Sequence, residues 1–312
     1  MSVTSPPTSD TLASAETRIR LSPGRWFRTL GWRHLVGVIG VVFALFPAIW
    51  VISASVNPAG TLLSQKLIPD NANLDHYRDL LRGFTDSGTQ IPFKAWYGNT
   101  ILIVGGAALI NTLLSAFAAY AFSRMRFKGR RSGLLTVLLV QMFPQTLAFV
   151  AIFLIMIQFG NWWPAVGLGT RLGLLLVYMG GAMGVNTWLM KGFFDTIPTD
   201  LDESARVDGA SHHQVYFRII LPLVTPILAV VFLLSFIFLI NDFILASAVL
   251  GQGDPSNLTL SVGLFRFLGD SFNLRWGLFS AGAVMTGIPV LIMFLFLQRY
   301  IVSGLTQGAV KG

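Results

Sequence analysis

The chain is long, apolar and sparsely charged: it has 312 residues, of which 54% are hydrophobic and 12% charged, and its net charge is +8. A typical soluble chain carries roughly twice that charged fraction. Cysteine is absent, which excludes disulfides, thiolate catalysis and cysteine-ligated metals. Together these features exclude a soluble enzyme, a DNA-binding protein and a secreted disulfide scaffold.

The charged residues are clumped, and they leave six uncharged runs that are each long enough to cross a bilayer, which takes about 20 apolar residues. The apolar runs are continuous rather than alternating, so we expect α-helices and not the strands of a barrel. We therefore predict an all-α integral membrane protein. Its six transmembrane helices are expected near Leu35–Val56, Tyr97–Phe122, Leu134–Gln158, Leu172–Met190, Pro222–Ala246 and Leu278–Val302.

Lysine and arginine are distributed unevenly among the connections. Fifteen of the 22 lie in the N-terminal tail, the loop after the second helix, the segment between helices four and five, and the C-terminus. The other loops hold the remaining seven. The positive-inside rule therefore places both termini in the cytoplasm. The membrane surface accounts for the basic residues, so lipid is an expected partner and nucleic acid is not.

The cytoplasmic segment 194–223 is polar, and it holds five of the 14 acidic residues of the chain. Its pattern predicts two short helices. Pro198 followed by Thr199 and Asp200 is expected to start the first helix, and Glu203, three residues after Asp200, has the spacing of a capping box. Gly209 suits a left-handed stop after it.

The second of these helices has its own start and end signals. Ser211 followed by Gln214 repeats the capping pattern, and Leu221-Pro222 is expected to end the helix where the fifth span begins. A compact helical knob of this kind fits a docking element for a cytoplasmic partner, and it also fits an interfacial helix without a partner. Spacing alone leaves both interpretations open.

The knob resembles the EAA loop of permease subunits of bacterial ABC importers, E-A-A-x-x-x-G followed some nine residues later by I-x-L-P. The matching residues are Glu203, Ser204, Ala205, Asp208, Gly209, Ala210, Ile219, Leu221 and Pro222. Ser204 replaces the usual second alanine, one small residue for another. Over most of its length, the chain also resembles the shorter permease subunit of maltose/maltodextrin importers. It is carried by AAYAFSRMRFKG, QMFP, PILAVVFLLSF and QRYIVSGLTQGAVKG.

That resemblance implies the type I ABC importer permease fold in a bacterial plasma (inner) membrane. It implies an extracytoplasmic sugar-binding protein, a homologous second permease subunit, and two ABC ATPase subunits that dock on the EAA residues. The chain has no G-x-x-x-x-G-K-[ST] loop. It is therefore expected to be non-catalytic and to hold no cofactor, with ATP and Mg bound by the ATPase subunits.

The expected cargo is an oligosaccharide of the maltose/maltodextrin type, with trehalose, another disaccharide or glycerol phosphate as alternatives. The expected domains are a mobile tail (1–33), a first transmembrane helix (34–56), an extracytoplasmic loop (57–96), a core permease domain (97–302) with its coupling loop (194–223), and a C-terminal tail (303–312). In the family, the outer loops meet the binding protein. The first should contain a short amphipathic helix within LIPDNANLDHYRDLL, and the loop 247–275 a small ordered element.

Four polar residues within the spans are candidates for the translocation path. Asp242 is the one acidic residue inside a predicted span, directly after Asn241. A carboxylate in lipid costs several kcal/mol, so Asp242 either faces the path and binds sugar hydroxyls or lies at the outer interface. Gln141 and Gln145 flank Pro144, which should kink the third helix. Their amides either line a polar path or tie helices together.

Two other classes of protein remain as alternatives. A secondary transporter or channel without ATPase partners would carry ion-coupling charges in several spans, whereas Asp242 is the one acidic residue within the predicted spans. A membrane-embedded enzyme would need paired carboxylates or histidines near the lipid boundary. The adjacent His212 and His213 point away from each other on a helix, so no metal site is expected. Gly180 and Gly184 form a small-xxx-small pair typical of helix packing.

Overall fold

The computed structural model is helical apart from one two-stranded ladder, and it describes residues 24, 27, 31–58, 66–83, 85–86, 89–181, 183–268 and 275–309. Nearly all of the predicted N-terminal tail and the last three residues lie outside these ranges. The chain divides into two compact units, Met1–Trp50 and Val51–Gly312.

We number the described helices along the chain. They are α1 (Trp32–Val56), α2 (Asp75–Arg82), α3 (Phe93–Arg124), α4 (Arg130–Gln141), α5 (Gln145–Trp162), α6 (Arg171–Gly181), α7 (Met183–Phe194), α8 (Asp200–Val207), α9 (His212–Leu223), α10 (Thr225–Ile240), α11 (Ile244–Leu250), α12 (Leu260–Phe265) and α13 (Trp276–Ala309). Strand β1 (Thr85–Asp86) pairs antiparallel with β2 (Thr89–Gln90).

Three of the described helices, α1, α3 and α13, are long and apolar enough to cross a membrane. The number rises to five if each of two bent pairs is one span: α6 with α7, bent by 50°, and α9 with α10, bent by 74°. The predicted third helix is represented by two helices, α4 with 12 residues and the apolar α5 with 18 residues. An all-α, multi-pass membrane architecture is confirmed, and the count of six spans stays a prediction.

Three of the six predicted spans are divided in the structure. The fourth consists of α6 and α7, with a bend of 50° between them. The kink expected at Pro144 is a complete break, since α4 ends at Gln141 and α5 begins at Gln145. Proline lacks the amide hydrogen that would continue the helix. The fifth span was expected to be continuous to Ala246, which is wrong, because the helix stops at Ile240 and resumes at Ile244.

Helix α3 lies at the centre of the larger unit and packs against α6, α7 and α10. Its buried face is lined by small residues: Ala107, Ala108, Ala116 and Ala119 are each fully buried. Small side chains let helix backbones approach closely, which is how helices associate in membranes. Along α3, one apolar cluster surrounds its N-terminal half, and a second surrounds its C-terminal end with α7, α8 and α9.

The N-terminal end of α3 holds the outer loop that follows α11. Trp96, Asn99 and Thr100 each form a hydrogen bond of 2.7–2.8 Å with main-chain atoms of residues 255–260. The loop is ordered into α12 and two 3₁₀ turns, and this agrees with the small ordered element that was predicted. The predicted amphipathic helix is present as α2.

The expected Gly180–Gly184 packing pair is half confirmed. A Cβ atom at Gly184 would lie 2.1 Å from Gln141 Cγ, whereas one at Gly180 would meet nothing within 4 Å. Gln141 also donates from Nε2 to the carbonyl oxygen of Gly181 at 2.8 Å. Gly184 therefore lets α4 approach α7 closely, and the Gln141 amide fastens the two predicted spans together.

Replacing Gly184 by Ala should destabilise the protein by roughly 1–3 kcal/mol, because the methyl group displaces Gln141 and breaks its hydrogen bond. Thermal unfolding in detergent measures the effect. Gly180→Ala is the matched control, and it should be neutral or slightly stabilising because alanine is the better helix former. Equal melting temperatures for the two variants would contradict the packing argument.

Candidate functional site

The first helix of the predicted knob ends in a well-formed glycine stop. The amide of Ala210 donates to the carbonyl oxygen of Ala205 at 2.9 Å, and that of Gly209 to the carbonyl oxygen of Arg206 at 3.0 Å. This pair of bonds is the Schellman arrangement, and it requires a left-handed residue. Gly209 supplies it with φ +87°. The predicted stop is confirmed.

The two predicted helix starts differ in outcome. At α9, Ser211 and Gln214 form the reciprocal capping box that the sequence predicted. The capping box expected from Asp200 and Glu203 at the start of α8 is wrong. The expected start itself is confirmed, since Thr199 is the N-cap residue and α8 begins at Asp200, but the Thr199 backbone is helical and its side chain makes no cap hydrogen bond.

Helix α9 continues further than expected. It runs through a π-helical stretch, Val215–Ile220, and ends at Leu223, two residues beyond the predicted end at Leu221. Pro222 lies in the short α-helical stretch that follows the π turn, in the last turn of α9. The 74° bend to α10 comes after Leu223. This bend separates the predicted knob from α10, in the predicted fifth span.

The EAA-like residues divide between an inner and an outer face of the knob. Ala205 is buried and Ala210 is half-buried. Ile219 and Leu221 pack on the apolar cluster at the end of α3. The exposed EAA-like residues are Glu203, Ser204, Asp208, Gly209 and Pro222. We call the surface formed by the first four together with Val207 the apical face. Val207 was not predicted as a site residue, yet it is 88% exposed.

Sequence reasoning also missed the ion pair beneath the knob. Arg124 Nε lies 2.9 Å from Asp202 Oδ2, and each side chain is only 5% exposed. One signal was available in the sequence: Asp202 lies three residues before Ala205, so the two share a helix face. Which of the clustered acidic residues is buried, and against which cation, required the tertiary structure.

A second polar contact joins the end of α3 to the segment before α8. Asp195 accepts hydrogen bonds from Ser123, at 2.6 Å, and from Lys191. Partial burial acts to raise the pKa of Asp195, but these two hydrogen bonds and the charge of Lys191 outweigh it and hold the pKa below its ordinary value. Asp195 is therefore ionised at neutral pH.

In the predicted translocation path, Asp242 occupies the break between α10 and α11. Its Oδ2 accepts from the Tyr178 hydroxyl at 2.8 Å and from the amide of Ala246 at 3.0 Å. The carboxylate thus caps α11 and bridges to α6. Asp242 remains partly exposed, whereas the Asn241 side chain is exposed.

Two cavities flank this break. Asn241 lines a cavity of about 680 Å³ between α10, α12 and α13, whose polar wall also includes Ser261 and Thr286. Gln141 lines an apolar cavity of about 860 Å³ between the α4–α5 pair and α6. The side chain of Gln145 lies outside the described residues, although its backbone begins α5. The structure therefore separates the predicted path residues into two regions.

Comparison with known proteins gives the class. Residues 111–307 match the family described as binding-protein-dependent transport system inner membrane component. The chain is similar to a crystal structure of a bacterial ABC transporter involved in the import of the acidic polysaccharide alginate. The TM-score is 0.71 at 25% identity, over 90% of this chain and 98% of that one. The chain belongs to this family and has the type I ABC importer permease fold, as a non-catalytic membrane component.

Particular relatives can also be named. The chain is 40% identical to the galactooligosaccharides transport system permease protein GanQ of Bacillus subtilis (strain 168), over 92% of this chain and 97% of the relative. It is 39% identical to the maltose/maltodextrin transport system permease protein MalG of Vibrio parahaemolyticus, over 89% and 95%. The resemblance to ABC importer permeases is thereby confirmed.

Replacing Ser211 by Ala should loosen the start of α9, because the Gln214 amide loses its acceptor, at 3.3 Å, and a lost N-cap costs roughly 1 kcal/mol. Hydrogen exchange of that amide should become about fivefold faster. Ser211→Asp restores an acceptor and serves as the control. Unchanged exchange in the alanine variant would show that the cap does not hold the helix start.

Proposed function

We propose that this chain is the permease subunit of an ATP-driven, binding-protein-dependent oligosaccharide importer, and that its knob, α8–α9, docks in an ABC ATPase subunit. The observation that carries the proposal is the apical face. It presents the EAA-like residues Glu203, Ser204 and Gly209 to solvent, while Asp202 and Ala205 fix the same helix to the membrane-spanning body. A surface so arranged is rigidly held and open to a partner.

The other proposed partners are a homologous second permease subunit, a second ATPase subunit and an extracytoplasmic sugar-binding protein. Both termini are proposed to be cytoplasmic, as the distribution of lysine and arginine favours. The outer loop is a suitable surface for the binding protein because α3 holds it through Trp96, Asn99 and Thr100. A pre-ordered loop loses little conformational entropy on docking.

The proposed cargo is an oligosaccharide of the maltose/maltodextrin type. The relatives MalG and GanQ, at 39% and 40% identity, support an oligosaccharide. Their names make a galactooligosaccharide a second candidate beside trehalose or another disaccharide. The sugar that the cognate binding protein retains, measured by calorimetry or mass spectrometry, decides among them.

For the path through the membrane, we propose that Asn241, Asp242 and Gln141 line the route of the sugar, with Gln145 as a further candidate. Asn241 is exposed in a cavity that combines amide and hydroxyl groups with the aromatic rings of Phe243 and Phe265, which suits a sugar's hydroxyls and its apolar face. Asp242 has a second role in this proposal, because its carboxylate also caps α11.

Gly209→Leu should reduce co-purification of the ATPase subunits by about tenfold or more, although the protein still inserts. A side chain at φ +87° costs roughly 1–2 kcal/mol, and it would project into open space that a partner would fill. Gly192→Leu is the matched control, since a Cβ there also meets nothing within 4 Å but the backbone is helical. Undiminished uptake without any bound ATPase would remove the proposed function.

Asp242→Asn keeps an oxygen that accepts from the Ala246 amide but removes the charge. If the carboxylate binds sugar hydroxyls, uptake and sugar-stimulated ATPase activity should fall by about tenfold or more, because hydrogen bonds to charged groups contribute roughly 1.5–3 kcal/mol. Ser247→Ala, in α11, is the control. Unchanged uptake would show that Asp242 does not bind the sugar and that its carboxylate serves only to cap α11.

A further inference from the structure

A single guanidinium at the C-terminal end of α3 holds two parts of the knob. Arg124 Nε lies 2.9 Å from Asp202 Oδ2, in the first turn of α8. Its Nη2 donates at 2.7 Å to the carbonyl oxygen of Ile197, in the turn that leads into α8. The same side chain therefore fixes both the position of the helix and the path of the chain into it.

The burial of this pair makes it more than a surface contact. Each side chain is 5% exposed, so both charges have lost nearly all of their hydration. A buried charge without its partner is strongly unfavourable, whereas an apolar pair of similar volume is often tolerated. Within the described part of the chain, neither Asp202 Oδ1 nor Arg124 Nε makes a hydrogen bond, so the two groups interact through their charges. The charge of Arg124 is thus the principal compensation for the carboxylate.

Apolar packing joins the same elements around the ion pair. The ring of Tyr120, one turn before Arg124, lies 4.8 Å from that of Tyr216 in α9 and 6.4 Å from that of Phe194 in α7, measured between centroids. Ala116 and Ala119 are fully buried in the same cluster. The knob is therefore seated on the last two turns of α3.

We propose that Arg124 and Asp202 are positioning residues that lock the knob to α3, so that α3 is the helix that carries the movement of the ATPase subunits across the membrane. A packed helix moves as a rigid body. With 32 residues, α3 is about 48 Å long. Its other end holds the outer loop through Trp96, Asn99 and Thr100. This inference depends on the proposed docking of an ATPase only for the source of the movement.

If Arg124 and Asp202 lock the knob to α3, the distance between the end of α3 and the start of α8 should be fixed. Because the chain has no cysteine, spin labels can be attached at Met125→Cys, next to Arg124, and at Asp200→Cys, at the start of α8. Both positions are exposed. In the assembled transporter with cysteine-free partner subunits, double electron–electron resonance should give one narrow distance distribution, the same with and without ATP.

Asp202→Asn should broaden that distribution and lower the number of sugar molecules transported per ATP by tenfold or more. Arg124→Lys should do the same to a smaller extent, because an ammonium cannot reach both Asp202 and the Ile197 carbonyl in the same geometry. The double variant Arg124→Met/Asp202→Leu should narrow the distribution again, which a merely disruptive substitution would not do. Lys66→Met, in an ion pair whose side chains are 65% and 71% exposed, is the control and should change neither quantity.

A wild-type distance distribution together with an unchanged transport ratio in Asp202→Asn would overturn the inference. If Asp202→Asn fails to assemble, a wild-type distance distribution and an unchanged transport ratio in Arg124→Lys would overturn the inference equally. Failure of the proposed function is distinguishable, since the wild-type chain would then bind no ATPase, while the distance between the labels without nucleotide would still report on the lock.

Discussion

The close packing of α3 against its neighbours is the constraint on which the larger unit depends. Four alanines with no exposed surface line its contact face, and they let α6, α7 and α10 approach without large side chains between them. In a bilayer, helices gain little from the hydrophobic effect on meeting each other, so contact distance and satisfied polar groups decide which helices associate. α3 provides both, with polar contacts at its two ends and small residues between them.

The polar contacts at the two ends differ in kind. At the outer end, neutral side chains of α3 bond to main-chain atoms of a loop, which fixes the loop's shape. At the inner end, Arg124 and Asp202 form a buried ion pair. A neutral hydrogen bond can be exchanged for one to water at little cost, but a buried charge cannot. Separating the inner contact is therefore the costlier of the two, and this contact lies beneath the knob that we propose as the docking site of the ATPase.

Breaks in the spans show how polar residues are accommodated in the membrane-spanning body. Asp242 lies where a strongly apolar helix is interrupted, and its carboxylate accepts hydrogen bonds from the Ala246 amide and the Tyr178 hydroxyl. Irregular backbone at such a depth is tolerated only where it is buried in protein or lines a cavity. The break meets the second condition, because Asn241 beside it lines the 680 Å³ cavity.

The sequence by itself determined the membrane class, the approximate spans, the Gly209 stop and the Ser211 cap, because these follow from local composition and from backbone geometry within a few residues. It also carried the EAA-like motif, and so the family. Only the tertiary structure decided that Asp202 is buried while Glu203 is exposed, that Arg124 is its partner, and that Asp242 is engaged by Tyr178. These pairs lie tens of residues apart, and burial in a helix depends on which face its neighbours cover, a property that no local pattern contains.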